Sequence, residues 1–205
     1  MDAVAQALRD AGVRVHVFGD SDHTRPDSVF PNNWLSTHPG GYVAVYPMYA
    51  SNRRHERRGD ILEMLKADYR LQTIVDYSGL EPDGIFLEGT GAMVLDHVSR
   101  VAYTAVSHRA DTPRCWSASA ADFNYEPMPF DAVDAGGVPV YHTNVIACIG
   151  TEVALVALDL VYHTNVIACI GTEVALVRAG PHRRRAAAAR GARATGGHRA
   201  ASSSS

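Results

Sequence analysis

Cysteine is scarce in this 205-residue chain, and the three present, Cys115, Cys148 and Cys169, are too few and too irregularly spaced for a disulfide framework or a paired zinc-binding pattern. Reduced thiols fit that usage, and a cytoplasmic location is the expectation. Long apolar runs are lacking as well. The stretch from Val153 to Leu158 stops at Asp159, far short of the roughly 20 residues that a membrane-spanning helix needs. No basic start leads into an apolar signal core, so no secretion leader and no membrane partner are expected. Acidic residues vanish after Val177, where Arg178, Arg183, Arg184, Arg185, Arg190, Arg193 and Arg199 crowd the tail. The net charge of -3 therefore averages an acidic body with a basic end.

What remains, 46% hydrophobic and 20% charged residues, is ordinary for a globular domain with its own core. Met1 to Ala11 reads as a short helix closed by Gly12, and Val13 to Phe18 alternates like a strand. Asp20 to Asn33 is loop-like, Tyr42 to Tyr46 is β-rich, and Arg57 to Tyr69 is helical through Ile61, Leu62, Leu65 and Tyr69. The run Arg53 to Arg58 reads as a solvated lead-in to that helix. Strands are expected at Gln72 to Val75, Gly84 to Leu87, Ala92 to Leu95, Val101 to Ala105, Pro139 to Ile149 and Glu152 to Val156. Short strands interrupted by single helices predict an α/β protein of repeated small units.

One repeat is exact in every residue: the 17 residues Val140 to Val156 recur as Val161 to Val177. Structural repeats that have aged vary on their surfaces, so full identity marks a recent duplication or an assembly error, and the second copy has no place prepared for it. The tail from Arg178 to Ser205 has no apolar periodicity and is expected to be disordered, either as a natural basic tail or as out-of-frame translation after the duplication. The expected organisation is a domain over 1–177 and a basic tail over 178–205.

Four segments place polar residues at the ends of expected strands, where a scaffold can aim them into one cleft: Pro26 to His38, Phe86 to Asp96, Tyr103 to Arg109 and Val140 to Val145. In order along the chain, FPNNWLSTH, YPM, NRRHERR, FLEGTGAMVLD, AYTAVSHR and VYHTNV resemble the citrulline-utilisation hydrolases of the amidinotransferase superfamily, relatives of arginine deiminase. The resemblance covers about Val13 to Val156. It implies a pentein fold, here an incomplete five-bladed α/β propeller, and cysteine-dependent hydrolysis of a guanidino or ureido group without metal or organic cofactor.

A guanidinium is planar and resonance-stabilised, so an enzyme must hold it, attack its carbon with a thiolate and protonate a leaving nitrogen. By the resemblance, Glu88 grips the guanidinium edge and His142 is the general acid/base. Asn32 or Asn33 contacts the substrate, Arg109 forks onto its α-carboxylate, and Asn144 faces the same side as His142 two residues along a strand. Each has a plainer reading as well: a strand-end carboxylate, a structural histidine, a turn asparagine or a solvated arginine. The glycines around Glu88 lack the Lys-Ser/Thr of a phosphate loop.

The resemblance also implies a reactive cysteine late in the chain, after a glycine-asparagine pair, and an opening strand before the first motif. Neither is found, so the sequence predicts a chain truncated at both ends and inactive as written. The alternatives are a non-enzymatic remnant or a nucleic-acid-binding protein acting through the basic tail, a reading disfavoured by the lack of interleaved aromatics. The His-x5-Cys pairs, His142 with Cys148 and His163 with Cys169, would lie about 20 Å apart on a strand, too far for one ion.

Overall fold

The computed structural model describes residues 2–19, 24–25, 27–111, 113–150 and 154–156, with residues 114 and 154–156 described by backbone alone. The duplicated block at 161–177, the basic tail and the His163 and Cys169 pair lie outside the described residues.

Helix α1 (Asp2–Asp10) forms where the apolar spacing and Gly12 place it. Val13 to Phe18 does not become a strand and pairs with none among the described residues. Alternation needs a free sheet edge beside it to become a ladder. Side chains hold this segment instead: Arg58 Nη1 donates to the Gly19 carbonyl at 2.8 Å, and His16 meets the Tyr69 hydroxyl at 2.8 Å.

Two units of the same plan follow. In the first, β1 (Leu35–His38) and β2 (Tyr42–Val45) form an antiparallel hairpin in register Leu35 to Val45. Helix α2 (Gly59–Asp68) then crosses over to β3 (Thr73–Asp76), parallel to β2. In the second, a single helical turn, α3 (Gly89–Ala92), leads into β4 (Met93–Asp96), antiparallel to β5 (Val101–Ala105) with Met93 opposite Thr104. Helix α4 (Pro113–Asp122) crosses to β6 (Glu126–Phe130), parallel to β5. A third hairpin begins with β7 (Ala147–Ile149) against β8 (Ala154–Val156). The result is a mixed α/β architecture of small sheets, with strand orders β1-β2-β3 and β4-β5-β6. Tyr46, Leu87, Met93, Cys115 and Trp116 belong to the buried core that joins the two units. No helix among the described residues is long and apolar enough to cross a membrane.

Gly84 to Leu87, expected as a strand, is irregular chain after a 3₁₀ turn at Ser78–Asp83. Leu87 is fully buried and its N–H goes to the Pro47 carbonyl, so an apolar run here marks burial without a ladder. Pro139 to Ile149 is a strand only from Ala147 onward. Its first half turns through a 3₁₀ segment at Thr143–Val145, and the strand-based distance for His142 and Cys148 loses its premise with it.

Strand β6 is an outer strand carrying Pro127 and Pro129. Glu126 donates to the Arg100 carbonyl and Phe130 accepts from the Val106 N–H, so residues 126, 128 and 130 bond towards β5. The two prolines face the edge that bears no further strand among the described residues.

Candidate functional site

Each unit is entered through a short helical turn that delivers a polar residue and then an apolar anchor. The first turn, Pro31–Asn33, is set by Pro31 at its start and ends at Trp34, 1% exposed. Glu88 opens α3, which ends at buried Met93, and His142 opens Thr143–Val145, which ends at buried Ile146. Glu88 and His142 thus hold the same place in successive units. The anchors sink into the core and pull the three turns against one another: Thr90 Oγ1 donates to the Asn32 carbonyl at 3.3 Å, and Thr143 Oγ1 to the Ala92 carbonyl at 2.5 Å.

Two glycines permit that approach. Gly89 sits at φ +43°, where a Cβ would run into the Asn32 carbonyl and lie 2.9 Å from Tyr46. At Gly91 a Cβ would overlap the Asn33 amide and come within 3.5 Å of His142. Gly91→Ala is expected to displace Asn33 and lower stability by about 1–3 kcal/mol. Urea unfolding checks this, and an unchanged midpoint would refute the packing argument.

Glu88 is the centre of the cluster and is fully buried. Its Oε2 accepts from His142 Nε2 at 2.7 Å and Arg109 Nη1 at 2.8 Å, with Arg53 Nη1 at 3.6 Å, while Oε1 accepts from the Tyr49 N–H at 3.2 Å. Burial alone would push the carboxyl up. The hydrogen bonds from His142 and Arg109, and the Arg109 charge, outweigh it and bring the group down to about 2. Glu88 is therefore an acceptor only, which makes His142 Nε2 the donor and leaves Nδ1 as the ring nitrogen turned away from the carboxylate.

Arg53 corrects the reading of Arg53 to Arg58 as a solvated lead-in. The segment Ser51–Glu56 is a 3₁₀ turn in which Arg53 is 4% exposed. Its guanidinium forks onto Glu56 at 3.0 and 2.9 Å, meets Asp27 at 3.5 Å and reaches Glu88. With its amide oxygen turned towards Arg53, Asn33 accepts from both terminal nitrogens at 2.9 and 3.1 Å. Arg57 forks onto Glu81, at 2.5 and 3.1 Å, and Arg54 pairs with the same carboxylate at 3.2 Å. Charge-run reasoning missed all three because Glu81 and Glu88 are distant in sequence and only Glu56 is local; the NRRHERR motif was the available signal.

Of the expected site residues, Glu88, His142, Arg109 and Asn33 come together. Asn32 joins through its backbone carbonyl. Arg109 is no solvated arginine: besides Glu88 it lies over the rings of Tyr141 at 4.7 Å and Tyr49 at 5.8 Å. His108 stands edge-on to Tyr49 at 4.7 Å, its ring pushed down by burial and by the Arg109 charge. Asn144 departs from expectation. It sits inside the 3₁₀ turn, so the two-residue period of a strand does not align it with His142, and its side chain makes no hydrogen bond among the described residues. Among these residues no group of three or more His, Cys, Asp or Glu is placed to hold a metal ion. Cys115 is buried in α4, its thiol pushed up to about 12 by burial and then by the Asp111 charge. Cys148 stands in β7 opposite Leu155.

A family model for eukaryotic N,N-dimethylarginine dimethylhydrolases matches residues 1–161. Comparison with curated protein sequences gives no match. Among solved structures, the N-terminal domain of ArgZ, an arginine dihydrolase of the ornithine-ammonia cycle in cyanobacteria, superposes with a TM-score of 0.57 at 17% identity over 73% of this chain and 50% of that one. A dimethylarginine dimethylaminohydrolase, solved as an adduct with 4-chloro-2-hydroxymethylpyridine, gives 0.56 at 17% identity over 72% and 54%. AgrE with ornithine and NAD+ gives 0.54 at 19% identity over 75% and 21%. These likenesses establish a shared fold, and the chain spans about half the length of the first solved structures it matches.

Proposed function

Because the chain belongs to the eukaryotic N,N-dimethylarginine dimethylhydrolase family, we propose that its three convergent turns carry the holding and proton-transfer half of a hydrolase site for the guanidino group of arginine-like substrates. The two β-β-α-β units are then two blades of a five-bladed ring, with the Asn33, Glu88 and His142 turns on its axis. The observation that carries this reading is the buried Glu88 carboxylate with His142 Nε2 at 2.7 Å. A carboxylate held ionised in a dry place accepts hydrogen bonds from a planar guanidinium edge. It also fixes the imidazole so that Nδ1 faces the leaving nitrogen and later the attacking water. Hydrolysis at the guanidino carbon calls for a thiolate. Cys115 does not supply it, since a buried thiol raised to about 12 carries no anion near neutrality.

Arginine and dimethylarginine titrated into the 205-residue chain are expected to shift the NMR signals of the Glu88 carboxyl and the His142 ring in a saturable way, with no release of citrulline or ammonia. Absence of any shift in the folded chain would sink the reading of the site, and turnover would overturn the expected inactivity.

A further inference from the structure

Strand β4 and strand β5 run antiparallel with Met93 opposite Thr104, so the next rung would join Ala92 and Ala105. That rung is never made, because Ala92 already belongs to α3, the turn that carries Glu88. The Thr143 side chain occupies the gap. Its Oγ1 accepts from the Ala105 N–H at 2.7 Å and donates to the Ala92 carbonyl at 2.5 Å, a single hydroxyl satisfying the two groups the missing rung would have paired. Thr143 is fully buried, and its neighbour is His142. On the other side of the histidine, Ser107 Oγ donates to the Tyr141 carbonyl at 3.2 Å and accepts from the Arg109 N–H at 3.2 Å.

We propose that Thr143 is a positioning residue whose hydroxyl, inserted into the interrupted β4–β5 ladder, sets the distance between His142 and Glu88. The proposal rests on reading the Glu88 and His142 pair as the site. It gives the threonine a task no apolar residue of the same shape performs: valine fills the space but leaves a buried N–H and C=O unpaired. Those two groups then take up water or other partners, which loosens the turn bearing His142. Serine retains both hydrogen bonds.

NMR on the full chain separates these cases with T143V and T143S. In T143V the Glu88 carboxyl midpoint is expected to rise by about one pH unit or more as the His142 hydrogen bond is lost. Exchange of the Ala105 amide is expected to speed up about tenfold or more. T143S should match the parent in both. A T143V chain with the parent Glu88 midpoint and unshifted His142 ring signals overturns the proposal. Should T143V not fold, rapid exchange of the Ala105 amide in the parent or in T143S overturns it equally. Arginine binding is read separately: its failure counts against the functional reading, while the Glu88 midpoint decides the role of Thr143 by itself.

Discussion

Glu88→Gln is expected to destabilise the fold by about 3–5 kcal/mol, the range seen when one partner of a buried ionic cluster is removed. The carboxylate is fully buried, and Arg53 and Arg109 both lean on it with side chains only 5% and 19% exposed. An amide of the same shape keeps the space filled but takes from Arg109 the anion it pairs with among the described residues, leaving it over the rings of Tyr49 and Tyr141. Arg53 fares better, since Glu56 still forks onto it. The measurement is the urea midpoint of the variant against Glu63→Gln, which removes only the exposed pair with Lys66, worth at most about 0.5 kcal/mol. Equal midpoints for the two variants would show that the cluster around Glu88 is not a stabilising unit.

The second large effect is a two-stage loss of stability in acid. His38 is stacked on Phe123 at 3.8 Å, bonds Ser36 Oγ through Nε2 at 2.7 Å and has no partner for Nδ1 among the described residues. Burial, then the charges of His97 and Arg100, lower it from 6.5 to about 4. Its charged form is thus disfavoured in the folded chain, and the unfolded chain binds the proton first as pH falls below 6.5. Stability is complete above that value and declines towards pH 4, by about 2 kcal/mol after allowance for solvent at the ring edge. Glu88 acts lower down, its depressed carboxyl contributing fully above 4.5 and progressively less as pH falls towards 2. Urea midpoints between pH 8 and 3 should therefore fall in two limbs. His38→Gln flattens the upper limb and Glu88→Gln the lower; a single limb unaffected by His38→Gln would contradict the assignment.

How far the site was legible follows from what each residue depends on. Asn33, Glu88 and His142 could be singled out because each stands in a short motif local in sequence, FPNNW, LEGTG and YHTNV, that carries the resemblance. The role of Arg53 depends on Glu88 and on Asp27, which no local pattern reveals, so a run of arginines looked solvated. Thr143 was quoted inside a motif, yet its task lies in a rung that is absent, and absence leaves no trace in periodicity. Helix α4 was missed because its Ala and Ser residues blur the apolar stripe, and β6 because Pro127 and Pro129 argue against a strand. The strand expected at Val13 to Phe18 failed for the opposite reason: the alternation was there, and the neighbour was not.

Those two prolines also decide where the second sheet ends. Along the outer margin of β6 every amide that could face outward has been replaced by a ring nitrogen without hydrogen, so the margin offers carbonyl oxygens and nothing to answer them. A strand arriving from another molecule would find half of a zipper. Met128, 44% exposed on this strand, would otherwise be an apolar foothold for such pairing. The margin is in effect self-terminating: as far as the described residues go, this strand withholds the donors that a further copy of the chain would need to stack upon it.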